Sequence, residues 1–554
     1  MKYLLAAINA KYIHINPAVY LLRDYVRSAA DARCAKADIK IAEFTINEPF
    51  FAILSGIANQ KPDFIGISCY IWNWGIVTAL LPEIKKILPD VLLFLGGPEV
   101  SFRPEEILSA YPSADGVICG EGEDAFLQLV CTGESKGPAA LKLRAPVAGK
   151  PADLNALPFI YRDLSAFDNK ILYYETSRGC PFSCSYCLSA AEKGLRFRNP
   201  ELVKNELQFF LDHRVRQVKF LDRTFNCSER HALAVWSFLK EHDNGITNFH
   251  FELEAGILTE AELDLLSRLR PGLVQVEIGV QSTNSQTLRA VNRHTDNLHL
   301  SACVRRILAS GNIHTHLDLI AGLPKEGYQS FRSSFNDVYA LHPHELQLGF
   351  LKVLHGSPIE NQAGEFGIRS LSCPPYEVLS TKWLCFEEIE RLKKIEAVLE
   401  IYWNSGQFAY TMRVLESFFP APFDLYSALA DYYDTNHYFT AAPARSKRYE
   451  LLLDFISRTL PPPVPEQLFR ELLTFDYYLR ENAKSRPSFA PETPRTHRRN
   501  ELFHEETFAY PLFLIRPFGE ADLPGLAPLP DPAKIRFDYT HRDPVTHFCT
   551  WGRF

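Results

Sequence analysis

The feature that most constrains the fold is a regular series of short apolar runs near the start of the chain. Five runs of five to eight residues are separated by segments long enough to hold a helix, and they cover residues 2–9, 39–46, 63–70, 91–97 and 116–120. Parallel strands need such long crossover connections, whereas antiparallel neighbours can be joined by tight turns. The spacing therefore predicts a doubly wound, parallel α/β sheet in a first domain, residues 1–136.

A second series of apolar runs predicts a barrel. Six runs alternate with amphipathic stretches, and they cover residues 171–177, 215–222, 249–255, 273–281, 315–323 and 345–353. Repeated βα units of this kind close into a whole or partial barrel, and the chemistry of such barrels lies at the carboxyl ends of the strands. We predict a partial (βα)6 TIM-like barrel over residues 169–360. The proline-bearing stretch 137–168 is expected to be a linker between the two domains.

Beyond residue 360 the pattern changes to helix. Apolar residues recur at three- and four-residue steps between 378 and 399, so residues 361–554 are predicted to form a mostly helical C-terminal domain. A polar cluster close to the C-terminus is expected to belong to a tail that packs on the barrel or closes its mouth; its members are His541, Asp543, His547 and Cys549.

Composition excludes several classes of protein. The formal charge of −7 offers no global field for a polyanion, so tight nucleic-acid binding is not expected. No stretch approaches the roughly 18 apolar residues that a transmembrane segment needs. The twelve cysteines are too sparse for a disulfide framework, and three of them are bunched, which points to a metal site in a reducing compartment. We therefore expect a cytoplasmic protein.

The bunched cysteines carry the strongest functional signal. Cys180, Cys184 and Cys187 follow the first barrel strand, with three and then two residues between them. This spacing lets three thiolates bind three irons of a 4Fe-4S cluster and leaves the fourth iron open. The motif resembles that of the radical S-adenosylmethionine (radical SAM) superfamily. The resemblance implies that the open iron binds S-adenosylmethionine, which is cleaved to methionine and a 5′-deoxyadenosyl radical after an electron arrives from a donor such as flavodoxin or ferredoxin.

Other segments of the barrel resemble cofactor-binding segments of the same superfamily. Glu277 and Gln281, at the end of the fourth strand, are expected to bind ribose hydroxyls or the methionyl part, and Gly322 lets backbone approach the adenine. Asp222 stands where related enzymes bind the amino-acid end of S-adenosylmethionine, although their usual Gly-Gly-Glu is absent. Arg293 is a candidate partner for a carboxylate of this cofactor or of the substrate.

The first domain resembles the Rossmann-like cobalamin-binding domain that precedes the barrel in one branch of this superfamily. Ser68, Gly96 and Gly97 match that domain's cofactor contacts in order, and Glu121 lies in a matching Gly-Glu-Gly-Glu segment. The usual Asp-x-His-x-x-Gly ligand of cobalt is absent, and His14 is a candidate replacement. Gln347 and Lys352, on the last barrel strand, are candidate substrate contacts. Residues 373–554 resemble an uncharacterised domain that follows such enzymes, which implies no activity.

These resemblances together imply a cobalamin-dependent radical SAM methyltransferase that acts on an unactivated carbon or phosphorus centre. The substrate is expected to be an unidentified small or lipid-like molecule held in one pocket between the barrel mouth and the first sheet. A second interpretation is methylthio transfer, with Cys34, Cys69 and Cys119 holding an auxiliary cluster. A cobalamin-assisted radical rearrangement and a non-catalytic cobalamin- and cluster-binding protein are the remaining alternatives.

Overall fold

The computed structural model describes most of the chain, namely residues 1–191, 194–461, 465–492, 498–499 and 502–554. Two parallel six-stranded sheets follow one another along the chain and precede a helical region. Among the described residues, no helix is long and apolar enough to cross a bilayer.

The N-terminal domain is a parallel sheet with helices on both faces. Its strands run in the order β2-β1-β3-β4-β5-β6; they are β1 (Lys2–Asn9), β2 (Asp38–Thr45), β3 (Phe64–Ser68), β4 (Leu92–Gly96), β5 (Gly116–Cys119) and β6 (Ala145–Ala148). The helices are α1 (Pro17–Arg27), α2 (Ala32–Ala35), α3 (Phe50–Ala58), α4 (Trp74–Ile87), α5 (Pro98–Ser101), α6 (Pro104–Ala110) and α7 (Gly122–Lys136). The strand order reverses between β1 and β3, and open α/β sheets bind ligands at the carboxyl edge beside such a reversal. The sixth strand comes from the segment expected to be a linker.

The second sheet is the predicted open barrel. Its six parallel strands follow the order β7-β10-β11-β12-β13-β14, and its edge strands β7 and β14 do not pair. The strands of this region, with a short hairpin formed by β8 and β9, are β7 (Leu172–Tyr174), β8 (Ser177–Arg178), β9 (Arg196–Phe197), β10 (Gln217–Phe220), β11 (Asn248–Leu253), β12 (Val274–Gln281), β13 (His314–Ala321) and β14 (Glu345–Phe350). The helices outside the sheet are α8 (Pro200–Asp212), α9 (Glu229–Glu241), α10 (Glu260–Leu266), α11 (Ser285–Ala290), α12 (Asn297–Ser310) and α13 (Tyr328–Tyr339).

Alternation along the barrel strands separates an apolar outer face from a polar lumen. In β12 and β13 every second residue is buried against the helices, while the residues between them stay partly exposed. A strand points successive side chains to opposite faces, so the partly exposed set, such as Glu277 and His316, faces the lumen. The lumen is therefore lined by polar side chains.

The C-terminal region is helical but also contains strands. Its helices are α14 (Pro358–Phe366), α15 (Phe386–Leu399), α16 (Ala409–Leu415), α17 (Pro422–Thr435), α18 (Tyr438–Ala441), α19 (Arg445–Thr459) and α20 (Glu466–Arg480). A two-stranded ribbon and an antiparallel four-stranded sheet contain β15 (Arg369–Ser370), β16 (Val378–Ser380), β17 (Arg498–Arg499), β18 (Phe503–Phe508), β19 (Ala533–Arg542) and β20 (Cys549–Arg553).

The four-stranded sheet is not predicted by the apolar pattern of the sequence, because its strands are unusually polar. In β18, Glu505 and Glu506 are buried and pair with Arg536 and Arg486. The tail packs on the barrel, as expected, but away from the mouth. A Cβ at Gly272, just before β12, would lie 2.6 Å from Pro544 Cβ, so the tail reaches the amino end of the strands.

Candidate functional site

One cavity of about 620 Å³ lies between the N-terminal sheet and the mouth of the barrel. The sheet contributes Ser68, Gly96 and Gly97, and the barrel contributes residues that include Leu221 and Arg223. The expectation that both mouths line one pocket is confirmed. A molecule that fills this cavity contacts both domains.

Three of the predicted residues shape the sheet side of the cavity. Asn16 Nδ2 donates a hydrogen bond of 2.8 Å to Ser68 Oγ. Gly97 has φ +111°, and a Cβ there would lie 2.5 Å from Cys69 O, so this turn requires glycine. A Cβ at Gly96 would meet nothing closer than Ile118 Cβ at 3.6 Å. The backbone conformation at Gly96 therefore does not require glycine. The missing side chain leaves space in the cavity at this edge of the sheet.

Glu121 lies in an ion-pair network that joins the two domains. The Arg178 guanidinium lies 2.9 Å from Glu121, 2.7 Å from Glu123 and 2.8 Å from Glu175. Arg196 also pairs with Glu121. Glu121 does not line the cavity, whereas Glu123 and Arg178 do.

The cysteine loop between β8 and β9 is held by backbone hydrogen bonds from two distant segments. Ser185 N donates to Val291 O at 2.9 Å, and Ile359 N donates to Ser185 O at 2.8 Å. The three thiols that the loop carries are free, and they belong to Cys180, Cys184 and Cys187. No three His, Cys, Asp or Glu side chains of the described residues are grouped as ligands of one metal ion. This finding does not bear on a cubane cluster, in which each thiolate binds a different iron, so that the three thiols do not converge on one ion.

Arg293 lies beside the cysteine loop and pairs within the chain. Its guanidinium is 4.0 Å from Cys184 Sγ and 3.5 Å from Tyr186 OH, and it forms an ion pair with Glu254 at the end of β11. Both side chains of the pair are nearly buried, with 11% and 8% exposed. Arg293 was predicted from the sequence, whereas Glu254 was not. The signal for Glu254 is its position as an acidic residue near the end of a predicted barrel strand.

A second, smaller cavity of about 260 Å³ opens at the ends of β12, β13 and β14. It brings together predicted residues from β12 and from the end of β14, the residue before the third cysteine, and Asp318 of β13, which was not predicted; among its lining residues are Tyr186, Gln281, Asp318, Gln347 and Lys352. Gln281 Oε1 is buried there with no hydrogen-bond partner among the described residues. This cavity therefore contains an acceptor that a ligand can satisfy.

Glu277 faces the lumen but does not line this cavity. It accepts a hydrogen bond of 3.1 Å from Lys219 Nζ, and His250 Nε2 lies 3.1 Å from the same carboxylate oxygen. Burial alone would raise its pKa, but the interaction with His250 and the charge of Lys219 lower the pKa to about 2. The carboxylate is thus ionised and already bound within the chain.

Two further predicted residues have partners inside the protein. Asp222 is buried and accepts hydrogen bonds from Thr176 N at 2.9 Å, Thr176 Oγ1 at 2.6 Å and Ser177 Oγ at 2.6 Å. At Gly322, with φ +90°, a Cβ would lie 2.7 Å from Val378 Cγ1. Packing of β16 therefore accounts for this glycine without any ligand.

The structure bears on two predictions for the first domain: His14 as a ligand of cobalt, and three cysteines as the ligands of an auxiliary cluster. His14 Nδ1 lies 2.6 Å from Tyr173 OH, and no histidine lines the large cavity among the residues that the structure describes. Cys34 forms a disulfide with Cys131, while Cys69 and Cys119 are free. The three cysteines required for an auxiliary cluster are therefore not a set of free thiols.

A charged cluster lies in the lumen, and of its members only Glu277 was predicted from the sequence. The cluster alternates along five strands and consists of Lys219, His250, Glu252, Glu277, His316, Asp318 and Glu345. The sequence signal for this cluster is a polar residue at every second position of otherwise apolar strands. Such a pattern indicates that one face of each strand contacts water or a ligand.

Three family models match the chain in the order of its domains. They are the B12 binding domain over residues 3–130, the radical SAM superfamily over residues 174–338 and a protein of unknown function, DUF4080, over residues 364–509.

Individual proteins resemble the same parts. The chain is 28% identical over 402 residues to the cobalamin-dependent radical SAM methyltransferase TokK of Streptomyces tokunonensis, an alignment that covers 63% of this chain and 55% of that protein. It thus spans about half the length of this relative. The fold is similar to that of the radical S-adenosylmethionine methyltransferase TsrM from Kitasatospora setae, with TM-score 0.54, 17% identity and coverage of 68% of this chain and 82% of the other. It also resembles the cobalamin-dependent radical enzyme OxsB, with TM-score 0.55, 15% identity and coverage of 86% and 78%.

Proposed function

We propose that this chain, which belongs to the cobalamin-binding radical SAM enzymes, methylates an unactivated carbon or phosphorus centre of a small molecule. The observation that carries the proposal is the shared cavity, in which the edge of the B12-binding sheet faces the mouth of the radical SAM barrel. A reaction that needs both cofactors requires this arrangement, because one substrate atom must reach each of them.

The residues present fit both groups. Three free thiols on one anchored loop suit a 4Fe-4S cluster, and the glycine edge at Gly96 and Gly97 leaves room for a bulky ligand. When bound, the cluster with S-adenosylmethionine supplies radical cleavage of a carbon–hydrogen bond, and cobalamin supplies a methyl group. The protein has to hold them, orient the substrate and exclude water.

We assign the methionyl end of S-adenosylmethionine to the Arg293–Glu254 pair. Arg293 lies beside Cys184 and pairs with Glu254, and the two opposite charges match the carboxylate and amino groups of an amino acid. The remainder of the molecule would then occupy the smaller cavity, where Tyr186 offers a ring and Gln281 offers an unpartnered acceptor.

The proposed reaction also needs a partner and a setting. An electron donor such as flavodoxin or ferredoxin must reduce the cluster. The cluster cysteines are free thiols, as in a reducing compartment, whereas the Cys34–Cys131 disulfide is unusual there. We propose a cytoplasmic location because the cluster needs that reducing setting. The methylthio interpretation loses support because Cys34 is bonded to Cys131.

The stoichiometry of S-adenosylmethionine tests the reaction. One molecule must donate a methyl group and leave S-adenosylhomocysteine, while a second is cleaved to methionine and 5′-deoxyadenosine. The reduced enzyme is incubated with methyl-labelled S-adenosylmethionine and a small-molecule cell extract, and the products are counted. Equal yields of labelled product, S-adenosylhomocysteine and 5′-deoxyadenosine are expected. Product without label and without S-adenosylhomocysteine would instead indicate a rearrangement.

A further inference from the structure

We infer that Arg223 is the substrate anchor of the large cavity and that the substrate carries an anionic group, a carboxylate or a phosphate. This inference rests on the proposed function, because it assigns a substrate class to the same cavity. Arg223 lies in the loop after β10, is exposed and lines the cavity.

The position of Arg223 is suited to a substrate that must reach both cofactors. The next residue, Thr224, places its Oγ1 3.4 Å from Cys180 Sγ, so the loop touches the cysteine motif. Across the cavity, the N-terminal domain contributes Tyr70 to the same lining. A group bound to Arg223 is therefore held at the junction of the two domains.

The guanidinium of Arg223 differs from those of the other arginines in the lining. Arg178 binds three glutamates, and Arg198 lies 2.8 Å from Glu206. Within the described part of the chain, Arg223 has neither an ion-pair partner nor a side-chain hydrogen bond. Its preceding neighbour Asp222 offers no compensation, because that carboxylate accepts its hydrogen bonds from Thr176 and Ser177.

Arg223 interacts electrostatically with an acid of the lumen, Glu252. Burial raises the pKa of Glu252 to about 7 in spite of the charges of Lys219 and Arg223. This carboxyl is therefore partly protonated near neutral pH and leaves the positive charge of Arg223 incompletely balanced. A planar guanidinium with free donors is suited to bidentate recognition of a carboxylate or phosphate.

The rest of the lining indicates what accompanies the anionic group. Several apolar side chains from the connecting segment and from the barrel line the cavity, and they include Phe159, Ile160, Leu188 and Leu221. Apolar walls with one unpaired cation favour an amphipathic acid over a sugar or a free amine. The substrate class that we assign is thus a small organic acid or phosphate ester with an apolar portion.

The test compares three reduced, cofactor-loaded enzymes: wild type, Arg223→Gln and the matched control Arg216→Gln. Arg216 is an exposed arginine at the opposite end of the same strand, outside the cavity. A small-molecule cell extract is split by anion exchange into retained and flow-through fractions. Compounds that remain bound to each enzyme after gel filtration are identified by mass spectrometry, and iron and cobalt are counted.

We expect wild type and Arg216→Gln to retain the same carboxylate- or phosphate-bearing compound from the anionic fraction. Arg223→Gln should retain at least tenfold less of it, with unchanged iron and cobalt. Retention of only neutral compounds, retention of nothing, or equal retention by Arg223→Gln would overturn the inference. Loss of cobalt from Arg223→Gln would overturn it too, by assigning the guanidinium to cobalamin. If the wild type retains the anionic compound but no label passes to it from S-adenosylmethionine, the proposed methyl transfer is refuted and the inference about Arg223 is not.

Discussion

Arg178 Nη2 lies 2.7 Å from Glu123 Oε1, and this ion pair joins the barrel to the first turn of α7 in the N-terminal domain. Arg178 stands two residues before Cys180, so the same side chain connects the cysteine loop to the cobalamin-binding domain. Its two neighbours in the network, Glu121 and Glu175, come from opposite sides of the domain boundary. Arg178 is therefore one of the contacts that hold the two mouths of the cavity in line.

Replacing Arg178 with Gln should destabilise the protein strongly. The side chain is 14% exposed and Glu123 is 5% exposed, so the change leaves a buried carboxylate unpaired. Breaking such a pair costs about 3 kcal/mol, whereas an exposed pair contributes less than about 1 kcal/mol. Arg33→Gln, which removes the exposed pair with Asp31, is the control. Urea unfolding of both variants gives the comparison, and equal small losses would contradict a clamp between the domains.

Alanine at Cys180, Cys184 or Cys187 should remove the cluster and abolish cleavage of S-adenosylmethionine, because three thiolates are the minimum set for this site. Iron analysis of anaerobically purified variants and the yield of 5′-deoxyadenosine are the measurements. Cys69→Ala and Cys119→Ala serve as controls and should keep about four irons per chain. A wild type with about eight irons per chain would restore the methylthio interpretation.

Leucine at Gly96 should prevent cobalamin binding and leave the iron cluster intact. Among the residues that the structure describes, a Cβ at this position meets only Ile118, at 3.6 Å, so the fold tolerates it, while the longer side chain enters the cavity. Cobalt content should fall at least tenfold with unchanged iron. Gly75→Leu, on an exposed face of α4 where a Cβ meets nothing within 4 Å, is the matched control. If Gly96→Leu keeps the cobalt content of the wild type, cobalamin does not bind at this edge of the sheet.

Glu326 should make the stability of the protein pH-dependent. Its Oε1 accepts from Ser282 at 2.7 Å and Ser334 at 2.9 Å, its Oε2 has no partner among the described residues, and burial raises its pKa to about 7. Between about pH 4 and pH 7 the folded chain keeps a proton that the unfolded chain has released, so the free energy of unfolding falls by about 3 kcal/mol as pH rises.

Glu326→Gln carries a neutral amide at every pH and should flatten this dependence. Urea unfolding of wild type and variant at pH 5 and pH 8 measures it. Parallel pH profiles for the two proteins would show that the carboxyl is ionised in the folded state.

Much of the fold was predictable because the responsible signals are local. The run at 2–9 coincides with β1, and the run at 273–281 with β12, since buried parallel strands require uninterrupted or alternating apolar residues. The polar strand β18 was not predictable in this way, because its buried glutamates depend on arginines that come from other segments.

In the candidate site, too, local features were predictable from the sequence and contacts between distant segments were not. The spacing of Cys180, Cys184 and Cys187 determined by itself that one loop carries three thiols, and the order of the strands determined that polar strand ends meet at one mouth. Only the tertiary structure decided that Arg293 pairs with Glu254, that Asp222 turns toward Thr176, and that Arg223 is left unpaired in the cavity. The reason is physical: a motif within one loop needs only neighbouring residues, but the partner of a charged side chain depends on which distant segments the packed fold brings within about 4 Å of it.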